Sequence, residues 1–161
     1  MRPSRSLFFL LAAAVLATAC SSSSSPADVT GPTPLTVADL VGQWNATSMV
    51  FTNNADASQT FDLIAAGGDA RFTMLTGGKV RNFLDLGDFH DQWDALVTMN
   101  SSDMTLTATP AESTRPVQHY AFTLSGTTLT LTNKDATFDF TLTGATGVSA
   151  TSVTVFTKTA S

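Results

Sequence analysis

Apolar residues recur at every second position through most of this chain, and that period decides what it can fold into. Phe72 and Met74, Met104 and Leu106, Tyr120, Phe122 and Leu124, Leu129 and Leu131, and Phe138, Phe140 and Leu142 are separated by threonine, aspartate or another small residue. Side chains alternate faces along a strand, so this pattern makes one apolar and one wetted face, as in half-buried antiparallel strands. Helical spacing is nowhere sustained. Gly67-Gly68, Gly77-Gly78, Asn100 to Asp103, Ser125-Gly126, Asn133-Lys134-Asp135 and Gly144 to Gly147 supply turn chemistry between the runs. The candidate strands fall at about 42–52, 59–65, 70–76, 79–85, 94–99, 103–109, 118–125, 127–132, 136–143 and 151–158, with boundaries good to a few residues. Short links make a meander the simplest order, and closing it removes the exposed edges that invite aggregation. The expected fold is therefore all-β: a single up-and-down antiparallel β-barrel of about 8–10 strands.

At the entry to the first strand stands Leu40-Val41-Gly42-Gln43-Trp44. A glycine lets the backbone come close, and an indole two residues later supplies a large plug whose N–H needs a partner. Placed ahead of a run of hairpins, this stretch resembles the opening motif of the lipocalins and the wider calycin barrels. The resemblance implies that Trp44 closes the barrel floor. It also implies a cation near the end of the last strand lying across the indole, usually arginine, for which the candidate here is Lys158. Within the first strand the parity is split, since Trp44 and Val50 share one face and Met49 and Phe51 the other, so a bulge or bend is needed to reconcile them.

Ahead of the barrel, Arg2 and Arg5 precede an apolar run from Leu7 to Ala17, the charged and hydrophobic regions of a secretory signal over residues 1–19. The run is shorter than the roughly 20 apolar residues of a membrane-spanning helix. Ala17-Thr18-Ala19-Cys20 resembles a bacterial lipobox, which implies acylation of Cys20, with chains such as palmitate, and a mature N-terminus there. Ser21 after that cysteine implies, for a bacterium with two membranes, export to the outer membrane. Cys20 is the only cysteine, so an internal disulfide is excluded. Residues 20–34, rich in serine and proline, cannot bury enough apolar surface to order themselves and are expected to form a tether. Residues 35–161 then form one domain of ordinary size. Without Arg2 and Arg5, six basic residues face thirteen acidic ones, a formal charge of −7. So acidic a body argues against nucleic acid and against adhesion to anionic lipid, which leaves the acyl anchor as the expected membrane contact.

Asp85, Asp88, His90, Asp91 and Asp94 crowd into ten residues around Phe89 and Trp93. Carboxylates and imidazole so close could hold an ion, with Asp88, His90 and Asp91 as weak candidates, but the spacing fits no established metal loop. The segment reads as a solvated acidic loop in which Phe89 and Trp93 could form a lid over the barrel mouth. For catalysis the sequence offers little. His119 sits in an apparent strand as an outward polar residue, Glu112 is the sole glutamate, and neither a nucleophile elbow nor a phosphate-cradling glycine loop is present. The chain is read as a non-enzyme without a cofactor.

Phe61, Phe72, Met74, Met99, Met104, Tyr120, Phe122, Phe138 and Phe140 are the candidate lining of a ligand cavity, with Val153 and Val155 expected to face inward from the last strand. Phenylalanine and methionine suit an adaptable apolar cavity, and they suit a filled core equally well. The first hypothesis is an envelope-anchored barrel that binds or carries a small apolar ligand. The second is a protein-interaction module with a solid barrel, like the calycin-shaped inhibitors of secreted proteases. An open apolar cavity with a mouth favours the first, and a solid interior with an exposed apolar rim favours the second.

Overall fold

The computed structural model describes residues 35–101, 103–108 and 114–159. Within them the alternating runs form β1 (Gly42–Asn53), β2 (Thr60–Asp62), β3 (Asp69–Met74), β4 (Lys79–Leu86), β5 (Phe89–Met99), β6 (Asp103–Ala108), β7 (Gln118–Ser125), β8 (Thr128–Phe138) and β9 (Val148–Lys158). Each strand from β3 onward pairs antiparallel with the next, and β9 returns to pair with β1 from Trp44 to Asn53. The result is a closed, eight-stranded, up-and-down barrel with β2 as an extra strand. The signal segment 1–19, the tether 20–34 with Cys20, and Glu112 lie outside the described residues.

β2 and β3 share one edge of β1, Phe61 opposite Phe51 and Phe72 opposite Trp44. The wall between them is broken by a tight excursion over residues 63–68, and Asp62 organises it. Its carboxylate accepts hydrogen bonds from the backbone N–H of Met49, Ile64 and Ala65 and from the Ser48 hydroxyl. Partial burial pushes this carboxyl up, but the bonds from Ala65, Met49, Ser48 and Ile64 outweigh it and hold the group below the usual carboxylate value. Gly68 closes the excursion so tightly that an added Cβ would meet Leu63 at 2.4 Å and the Asp85 carbonyl at 2.7 Å.

Three sequence expectations are corrected. The runs expected at 127–132 and 136–143 merge into one strand, β8, which ends at Phe138 and leaves 139–143 in the following loop; its register shifts between Asn133 and Ala136. The Asn133 side chain accepts the Asp135 N–H at 2.8 Å, so residues that ordinarily make a turn here satisfy a bulge. Secondly, β5 begins at Phe89, so the acidic stretch is a hairpin arm paired with β4, Leu86 opposite Phe89 and Asn82 opposite Trp93. Finally, β9 buries Ala150, Ser152, Thr154 and Phe156, while Val153 faces outward and is 38% exposed. Phe156 must meet Phe72 at the floor, edge to face at 5.0 Å, and its parity sends Val153 and Val155 outside. In β1 the anticipated break is a register shift between Ala46 and Ser48, which lets Trp44, Met49 and Phe51 share the interior.

The core is densest at the end where β1 begins. Trp44 and Leu40 are fully buried, and the indole N–H donates to the Leu40 carbonyl at 2.8 Å. Phe72 stacks on the indole at 5.9 Å. Lys158 lays its stem across Gly42 and carries its ammonium 5.4 Å from the indole centroid, donating to the Asp39 carbonyl. Gly42 has φ +131°, and a Cβ there would sit 2.9 Å from the Lys158 Cε. The backbone angle is what requires glycine here, and any side chain would also displace the end of Lys158.

Candidate functional site

Above that floor the interior opens in three levels. At mid-barrel lies a cavity of about 80 Å³ walled by Phe72, Met74, Leu106, Leu131 and Phe156, with Asn82, Tyr120, Ser152 and Thr154 as polar members; Arg71 also borders it, its half-exposed guanidinium paired with Asp69 at 3.2 Å. A larger space of about 420 Å³ adjoins it, with Met49, Leu84, Trp93, Tyr120 and Ser152 as walls common to both. The mouth itself is a recess of about 650 Å³ lined by Phe51, Leu84, Leu86, Phe89, Phe138 and Leu142. Phe89 and Leu142 are each 55% exposed at this rim.

Along the side of the barrel beside the middle level, the described part of β6 runs to Ala108, opposite Ala95, and β7 begins at Gln118, opposite Leu106, while β5 and β8 extend to Phe89 and Phe138. Arg115, between β6 and β7, borders this space: its guanidinium lies 4.5 Å from the Trp93 ring and 2.5 Å from the Asp91 carboxylate. The Tyr120 hydroxyl donates to the Gln118 side chain at 2.9 Å, and burial pushes the phenol up from its ordinary value.

Sequence reasoning scattered its candidates over all three levels. Phe72, Met74, Met104 and Phe122 are buried in the core, and Met99 packs against it. Tyr120 borders the mid-barrel cavity. Phe138 stacks on Phe51 at 4.2 Å and on Phe61 at 5.1 Å. Phe140 belongs to the loop after β8 and meets Phe138 edge-on at 5.0 Å. Of the expected lid pair, Phe89 reaches the rim, while Trp93 is part of the wall, facing the cavity from β5 beneath Arg115.

The acidic cluster does not converge. Alternation along β5 turns Asp91 inward to Arg115, while His90 faces outward and pairs with Asp85 at 2.8 Å across β4 and β5. Asp94 forms a two-point pair with Arg81, and Asp88 lies in the hairpin turn. Among the described residues no three His, Cys, Asp or Glu side chains are placed to share a metal ion. His119 is exposed on β7, 3.4 Å from the Thr105 hydroxyl.

Two residues that now matter went unread: Asn82 and Arg115. Asn82 was legible in principle, as the one polar residue in the inward series Val80, Asn82, Leu84. Arg115 sits in a connection whose fold no local pattern announces. Its contacts are between residues 22 and 24 places apart, which only the closed barrel brings together. No protein-family model, curated protein or solved structure matches this chain.

Proposed function

We propose that this chain is a lipocalin-like barrel, anchored in the bacterial envelope through acylated Cys20, that binds a small apolar ligand entering opposite Trp44. The observation that carries the reading is the mouth: two large apolar side chains, each 55% exposed, stand over an apolar recess of about 650 Å³. Exposed apolar groups gathered around a concavity mark a binding surface, and ligand sites commonly measure about 300–1,000 Å³. We also place the chain outside the enzymes, its sequence offering neither a nucleophile elbow nor a phosphate-cradling glycine loop. The outer membrane is the proposed address.

A second reading, an interaction module on a solid barrel, draws on a different observation. The mid-barrel cavity of about 80 Å³ is too small to hold a drug-sized ligand entirely inside. In that case the apolar rim would meet a protein.

The two readings separate in one titration. Diphenylhexatriene, an uncharged hydrocarbon fluorophore, is added to residues 35–161, which contain the whole core and the closing β1–β9 pairing. Saturable binding that weakens about tenfold in Phe89→Ser and Leu142→Ser supports the carrier, since each change removes apolar contact at the rim. Failure of the folded domain to bind leaves the interaction module. For the anchor, Cys20→Ala should remove acylation and hence the radiolabel incorporated from palmitate; continued labelling would sink that assignment.

A further inference from the structure

We propose that the mid-barrel cavity receives the uncharged polar head of an amphiphile, and that Asn82 is the residue that selects it. This rests on the carrier reading and names the ligand class. Among the described residues, Asn82 Nδ2 is the buried side-chain nitrogen left without a hydrogen-bond partner. The residue is 9% exposed and lines the cavity. A carboxamide in that condition is costly to keep, and at an inward position of β4 leucine, branched at Cγ like asparagine though larger, would carry no such cost. A half-turn about its terminal bond keeps the amide in place while exchanging donor and acceptor, so it can serve a hydroxyl, a carbonyl or an amide.

The cavity's size and charge narrow the class. About 80 Å³ exceeds the roughly 15 Å³ one water needs, yet suits a group of only a few heavy atoms. The buried polar side chains of the described residues are Asn82, Asn133, Ser152 and Thr154, all neutral. Arg71 also borders the cavity but keeps its guanidinium half exposed against Asp69, so an ionised carboxylate or ammonium among the neutral groups would lose its hydration with no opposite charge in return. Arg115 stands one level higher and engages Asp91. The shared walls at Met49, Leu84, Trp93 and Tyr120 give the ligand's chain a course from the cavity toward the mouth.

Competition against bound diphenylhexatriene tests this on residues 35–161. Tetradecanol, tetradecanamide and tetradecanoate share a chain and differ in head, and the pH is kept above the fatty acid's titration. The alcohol and amide should displace the fluorophore at about tenfold lower concentration than the carboxylate, the worth of roughly one hydrogen bond. Asn82→Leu should erase that advantage, the three heads being compared within the variant so that any change in diphenylhexatriene affinity cancels. A carboxylate preferred by the wild-type domain overturns the proposal without needing any variant. An unchanged order in Asn82→Leu overturns it too, and leaves the cavity to water. Should diphenylhexatriene bind while the heads compete equally, the carrier stands and this inference falls; should it not bind at all, both fall.

Discussion

The two tryptophans show what single residues contribute and how far each could be read. Gly42 and Trp44 were legible because their requirements are local: a positive φ, a close lysine stem, and an indole N–H satisfied four residues back at Leu40. Trp44→Ala empties a fully buried site and should cost about 3–5 kcal/mol in chemical denaturation. Trp93 was misplaced because the charges around it hid the alternation of β5. As a wall residue shared by the cavity and the space above it, Trp93 should respond to ligand, whereas Trp44 should not. A Trp93→Phe domain, reporting Trp44 alone, is expected to emit blue, resist acrylamide and ignore diphenylhexatriene; ligand-induced quenching of Trp44 would refute its place in a sealed floor. Asn82→Leu carries a separate expectation. Removing an amide with an unpartnered donor should stabilise the unliganded domain by about 1–2 kcal/mol, visible as a raised Tm.

At the level of elements, β3, β4, β6 and β7 were legible from undisturbed alternation, and β1 was placed to within a residue with its break anticipated. The errors fall where one residue type has two structural uses. Asn133-Lys134-Asp135 could turn a chain or bulge a strand, and only pairing with β9 chooses. Val153 and Val155 announce a strand by their branched side chains but say nothing of which face they take. The excursion after β2 offers a pH test. Since hydrogen bonds hold the Asp62 carboxyl below the usual aspartate value, its contribution is present above the unfolded value and lost as pH falls through the lower, folded one. Asp62→Asn keeps an acceptor for the Met49, Ile64 and Ala65 amides but gives up the charge that strengthens those bonds. The variant should therefore be less stable near neutral pH and converge on wild type as pH falls through the carboxyl's lowered folded-state value, where both side chains become neutral. A stability gap independent of pH would mean that shape alone, and not ionisation, secures the excursion.

Taken whole, the barrel is polarised along its axis, and that polarity links its stability to its proposed function. One end holds Leu40, Trp44, Phe72, Leu129 and Phe156 with almost no access to water. The other carries loops, an exposed Phe89 and a Leu142 held at φ +54° in a loop that Asp139 gathers through the amides of Thr141, Thr143 and Ala145. A closed ladder distributes hydrogen bonds evenly, but opening free energy depends also on packing, so the floor should resist and the mouth should yield. Amide exchange followed by mass spectrometry is expected to be slowest in the floor ends of β1, β3 and β9 and fastest over 86–91 and 137–148. Diphenylhexatriene should slow exchange in the second set, through contacts with Phe89, Phe138 and Leu142, and leave the first set unchanged. Protection spread uniformly over the barrel would indicate global stabilisation without a defined entrance. Protection confined to the floor would place the ligand at the end sealed by Trp44, which is incompatible with entry through the mouth.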